Sequence, residues 1–180
     1  MITLVIGHTI TNKGASYQQK TYEYDYNVDL SQRIKKILLA NNQQVSIIDK
    51  SGLSNSQIVK MVKMQYPYCV CELHCNAFNC NFSGSEVLIT DTIAYNDALA
   101  TYIYNKICVA LNRNKKQQRG VNLISPYDRG YQNLCGYNEA SCLIEPFFID
   151  NDDDYNLGMR SKDILAQAIV DGINKFVATI

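Results

Sequence analysis

Neither sign of charge is in excess in this chain: 17 basic and 17 acidic residues among 180 leave a formal net charge of zero. A dedicated nucleic-acid binder or a polybasic membrane anchor concentrates positive charge, so the balance argues against both. Long apolar runs are also missing, and none approaches the roughly 20 residues that span a bilayer. The N-terminus has no basic segment, and its apolar run stops at His8, so no secretory signal is expected. Proline is scarce, with only Pro67, Pro126 and Pro146. With no repeat, low-complexity tract or linker, one domain over residues 1–180 is expected. The seven cysteines are an odd number. Without an export signal they imply synthesis in a reducing cytoplasm rather than a disulfide framework. Cys69, Cys71, Cys75 and Cys80 crowd together, but their spacing does not match a common metal pattern, and they read as small buried hydrophobes.

What is present alternates between strand-like and helix-like segments. Strands are expected at Ile2–Ile6, Gln44–Ile48, Tyr68–Leu73, Glu86–Ile89, Val121–Ile124 and Ser141–Phe148. Helices are expected at Thr21–Asn41, Ser54–Tyr66 (with Ser54 as N-cap), Ala94–Asn114 and Ser161–Val177. Such alternation predicts an α/β fold, a three-layer α/β/α sandwich with a mixed, mostly parallel twisted sheet. Ligand sites of these folds gather at the carboxyl ends of the strands.

The two histidines, the only ones in the chain, both fall there. His8 follows Ile2-Thr3-Leu4-Val5-Ile6-Gly7, and His74 ends Cys69-Val70-Cys71-Glu72-Leu73. Two carboxylates stand in apolar settings. Glu23 begins a helical stripe continued by Asn27, Leu30, Ile34, Ile37 and Leu38, while Asp25, Asp29, Gln32, Arg33 and Lys36 mark the opposite, solvated face. Glu145 lies within Cys142-Leu143-Ile144-Glu145-Pro146-Phe147-Phe148. Two imidazoles and two inward carboxylates match a catalytic zinc site of three ligands and one acid/base.

Each residue also has a plainer reading. The histidines can be ordinary hydrogen-bonded groups, and Glu23 a first-turn partner of the helix dipole. Glu145 can be buried in an ion pair with Arg119 or Arg129; unpaired, its pKa rises toward what an acid/base needs. Glu72 shares a strand face with His74, where it can orient that histidine, form a salt bridge or replace Glu23 as a ligand. Asn76 and Asn79 can contact substrate or cap a loop. Glu86 reads as structural, Glu139 as a weaker acid/base, and Arg113 to Arg119 as a solvated helix end. Phe78, Phe82 and the 13 tyrosines can line a sugar or peptide groove, though most should be ordinary packing.

Taken in order, these motifs resemble the zinc-dependent N-acetylmuramoyl-L-alanine amidases, a family that includes bacterial cell-separation amidases and many phage endolysins. The resemblance runs through Gly7-His8; Glu23 with Asn27; His74-Cys75-Asn76-Ala77; Gly84-Ser85-Glu86-Val87; and Leu143-Ile144-Glu145 followed by Phe148 and Asn151-Asp152. It spans nearly the whole chain. Thr9 replaces a glycine common after Gly-His, Pro146 a small residue after the last Glu, and Glu72 a small polar residue.

The resemblance implies one Zn2+ held by His8, Glu23 and His74, with Glu145 catalytic. It also implies cleavage of the amide between N-acetylmuramic acid and L-alanine in peptidoglycan. Neither nucleic acid nor membrane insertion is implied, and a monomer is expected. An enzyme made in the cytoplasm without an export signal and acting on the wall after release fits a phage or prophage lysin. The alternatives are a zinc amino- or carboxypeptidase on the same sheet, and a non-catalytic wall-binding or phage structural relative.

Overall fold

The computed structural model describes residues 1–180. Its centre is a six-stranded sheet built from β1 (Ile2–Ile6), β4 (Val45–Asp49), β5 (Cys69–Leu73), β6 (Ser85–Ile89), β7 (Gln118–Leu123) and β8 (Ala140–Glu145), in the order β4-β1-β5-β8-β6-β7. The first four strands of that order are parallel. β6 runs antiparallel to β8 and parallel to β7. The mixed, mostly parallel sheet is therefore as the alternation predicted.

Alternation of side chains sorts the sheet into two faces. Leu4, Cys71, Val87, Cys142 and Ile144 belong to the larger core, beneath α1 (Glu23–Ala40), α3 (Asn96–Ala110) and α6 (Lys162–Val177). Val5, Val70 and Leu143 face the smaller core under α2 (Asn55–Lys63) and the single turn α4 (Tyr131–Leu134). On that second face, Glu86 and Leu88 of β6 continue past β8 into an open cleft. Cys69, Cys71 and Cys75 are buried, as small apolar residues should be, whereas Cys80 is exposed.

Ser54 caps α2 in a full capping box with Gln57, the pairing that satisfies two orphan amides at once. α1 begins at Glu23 rather than Thr21, because Thr21–Tyr22 (β3) pairs with Ser16–Tyr17 (β2) in a small hairpin. Its turn uses Gln18 and Gln19 in left-handed backbone, with neither the Gly nor the Asn that would announce it. With no side-chain cap, the first amides of α1 find loop carbonyls instead: Glu23 N donates to Ala15 O at 2.9 Å and Tyr24 N to Lys13 O at 3.0 Å.

The final strand is shorter than Ser141–Phe148. It stops at Glu145 because Pro146 cannot donate to the ladder, and Phe148 instead bridges to Asn76. Beyond it lies α5 (Asp152–Arg160), which the hydrophobic periodicity does not predict. Its signals are local: Asn151 accepts from Asp154 N, and three aspartates fill the first turn.

Arg113 is not part of a solvated helix end. It is 5% exposed, and its guanidinium donates to Asp154 Oδ1 at 2.6 Å, to Ser85 Oγ at 3.0 Å and to Pro146 O at 3.0 Å. Asp154 Oδ2 in turn accepts from Gly84 N at 2.9 Å and Phe148 N at 3.0 Å. This buried pair joins α5 to the start of β6 and to the residue after Glu145.

Candidate metal centre and cleft

Two bare stretches of backbone make room for the histidines. His8 leaves β1 in left-handed backbone, φ 65°, a conformation costing a non-glycine residue about 1–3 kcal/mol. A Cβ on Gly7 would lie 2.7 Å from the His74 ring, and one on Gly14 would lie 2.5 Å from His8 and 2.6 Å from Glu23 Oε2. Glycine at both positions lets the two rings and the carboxylate close on one point.

Glu23, only 2% exposed, sits between the rings. Its Oε2 is 3.1 Å from His8 Nε2 and accepts from Ala15 N at 3.1 Å. Its Oε1 is 2.9 Å from His74 Nδ1 and accepts from Cys75 N at 2.9 Å. The imidazoles meet edge to face, with centroids 5.1 Å apart. One donor atom from each of His8, Glu23 and His74 lies within 4.8 Å of the others.

The other nitrogen of His74, Nε2, is 2.9 Å from Glu72 Oε1. Glu72 is fully buried and pairs with Lys50 Nζ. With Nε2–H donated to Glu72, a cation that displaced the Nδ1 proton would meet the Nδ1 lone pair directed at the cluster, the arrangement that suits a ligand histidine. Glu72 thus stands behind His74, and Glu23 occupies the position between the rings.

The electrostatics favour a cation here. Burial alone would push His74 down, but hydrogen bonds to Glu23 and Glu72 outweigh it and hold His74 up at about 9. Burial also opposes charge on Glu23, yet the two imidazoles keep it well below the usual carboxylate range. Two nitrogens and one carboxylate converging on a pocket that stabilises positive charge fit a small dication held by three protein ligands.

Glu145 ends β8 and lines the same cleft as His8 and His74. Burial pushes it up to about 7; His74 and, less strongly, Arg129 oppose the rise, and Glu86 and Glu23 add to it. It forms no ion pair: Arg119 goes to Glu86 instead, at 3.4 Å, while Arg129 lines the cleft. Glu139 lies outside the cleft, accepting from Asn138 N at 3.1 Å.

The cleft has a volume of about 380 Å3 and a floor of Leu88 and Leu143. Asn76 lines it while donating to Glu86 and capping its own loop through Ala77 N at 2.8 Å. Glu86, which reads as structural from its place in the sequence, is a cleft residue; it also accepts from Asn122 Nδ2 at 2.8 Å. Arg129 and Asn133 complete the wall. They come from a segment with no periodic signal, and nothing in their local sequence marks them.

The fold and this cluster define a class: an α/β/α hydrolase domain with a His–Glu–His pocket and a raised carboxyl at the strand ends. The chain belongs to the N-acetylmuramoyl-L-alanine amidase family Amidase_3, which matches residues 2–175. It is accordingly a peptidoglycan amidase.

Among solved structures, it is 27% identical to the catalytic domain of the CD27L endolysin targeting Clostridia difficile, with TM-score 0.80 over 97% of this chain and 96% of that one. It is 21% identical to the amidase AmiC2 of Nostoc punctiforme, with TM-score 0.83 over 99% and 97%. It is 18% identical to the catalytic domain of the amidase CwlV from Bacillus (Paenibacillus) polymyxa var. colistinus, with TM-score 0.85 over 99% of each chain. No curated protein matches the chain in sequence.

Proposed function

We propose that the chain cleaves the amide between N-acetylmuramic acid and L-alanine using one zinc ion held by His8, Glu23 and His74, with Glu145 as acid/base. The observation that carries this reading is the convergence of three donor atoms within 4.8 Å beside a cleft that also contains Glu145. Zinc bound there would lower the pKa of water toward ~7 and polarise the amide carbonyl.

The chain's own groups do the rest. Glu145, with its pKa raised to about 7, accepts the proton of the attacking water and delivers it to the departing L-alanine nitrogen. Glu72 fixes the orientation and tautomer of His74. Asn76 holds Glu86 in place in the cleft. The likeness to an endolysin catalytic domain supports a wall-lysing role within this activity.

The test is mass spectrometry of purified peptidoglycan digested with and without a zinc chelator. Stem peptides released with a free L-alanine amino group, and lost on chelation, are the expected result. Cuts inside the peptide would assign a peptidase, and release that survives full metal removal would sink the zinc reading.

A further inference from the structure

Arg129 is the only lysine or arginine lining the cleft, whose other charged groups are Glu86 and Glu145 with the two histidines. It is exposed and forms no ion pair, whereas Arg119 is engaged by Glu86 at 3.4 Å and lies over the Phe148 ring at 5.1 Å.

Its position is held rather than loose. The loop before α4 is closed by Asp128, whose Oδ2 accepts from Ser125 N at 2.7 Å and from Ser125 Oγ at 2.6 Å. The next residue after Arg129, Gly130, is in left-handed backbone at φ 88°, and a Cβ there would lie 3.2 Å from Leu143 Cδ1 on the cleft floor. The loop is pressed onto the floor at Gly130, which holds the Arg129 backbone at the wall and leaves its exposed guanidinium without a hydrogen-bonded partner.

A guanidinium without an internal partner is suited to a carboxylate, which it can grip through two parallel hydrogen bonds. In the amide substrate, the lactyl carboxyl of the muramoyl group is consumed in the scissile bond. The N-acetylated glycan is otherwise neutral, so the remaining anionic groups belong to the stem peptide.

We propose that Arg129 binds a stem-peptide carboxylate on the leaving-group side and so selects peptides in which that carboxyl is free rather than amidated. The inference rests on the muramoyl-amide reading of the site. Arg129 acts by positioning: it orients the peptide so that its L-alanine nitrogen faces Glu145.

The test uses the zinc-loaded protein and two synthetic N-acetylmuramoyl peptides, identical except that a carboxyl of the second stem residue is free in one and amidated in the other. The free-carboxyl peptide should have kcat/KM about tenfold higher, with the difference in KM. Arg129→Ala should erase that preference and Arg129→Lys should keep part of it. A general electrostatic effect on Glu145 would instead slow both peptides equally. No preference in the parent protein, or a preference that survives Arg129→Ala, would overturn the proposal.

Calorimetric binding of the two free peptides to Glu145→Gln, with and without Arg129→Ala, reads the same contact without hydrolysis. Tighter binding of the free-carboxyl peptide that depends on Arg129 supports the contact even if the muramoyl amide proves not to be the bond cut. Equal binding of both peptides refutes it.

Discussion

Glu86 and Glu145 are register partners across the antiparallel β6–β8 pair. Both side chains face the cleft, and Glu86 is one of the groups that raise Glu145. Arg119, Asn76 and Asn122 surround Glu86, so its charge is held in place beside the proposed acid/base. Removing that charge should lower the Glu145 pKa. Glu86→Gln should move the acid limb of the kcat/KM–pH profile down by roughly half a unit to one unit. An unmoved or raised limb would mean that Glu86 does not act on Glu145.

Glu145→Gln should reduce kcat by about 10²–10⁴-fold while bound zinc, measured by elemental analysis, stays near one ion per chain. The same substitution has a signature in stability. Folding raises the Glu145 pKa from its ordinary 4.5 to about 7, so the folded state holds the proton more tightly than the unfolded state. The contribution of this proton to stability is then lost as pH rises through that window and is absent above it. Metal-free Glu145→Gln should match the parent at pH 4 and be more stable at pH 8 by about 1–3 kcal/mol in urea melts. Equal stability at both pH values would contradict the buried, raised carboxyl.

Behind His74, the Glu72 carboxylate and Lys50 form a buried pair. Glu72→Ala should weaken zinc binding about 10–100-fold in chelator competition. Glu72→Gln, which can still accept from Nε2–H, should fall between. Unchanged affinity in both variants would reduce Glu72 to a plain salt bridge.

Arg113 and Asp154 are the costliest charges in the chain to separate, since neither side chain is more than 2% exposed. Arg113→Met leaves a buried carboxylate without its counter-charge and should destabilise the fold by about 3–5 kcal/mol in urea melts. Adding Asp154→Leu should recover part of that loss, because no unpaired charge remains. A single-variant loss below about 1 kcal/mol would show that the pair is not integral to the fold.

Local periodicity and residue scarcity set much of the outcome. The short apolar runs Ile2–Ile6 and Cys69–Leu73 placed His8 and His74 at strand ends, and the 3.6-residue stripe from Glu23 turned its carboxylate inward. The Ser54–Gln57 capping box is likewise a local signal. These features are legible because side-chain direction within one element follows from the backbone period alone.

Contacts between elements are not written in any one segment. Glu86 became a cleft residue only because β6 enters the sheet antiparallel beside β8, opposite Glu145. Arg113 turned inward because α5 brings Asp154 to it from 41 residues away. Arg129 reached the cleft because Gly130 seats its loop against Leu143. The sequence by itself determined that His8, Glu23, His74 and Glu145 meet at one end of the sheet. The tertiary structure decided which charges neutralise one another and which remain free, because long-range Coulomb and desolvation terms depend on distances that only the packed chain sets.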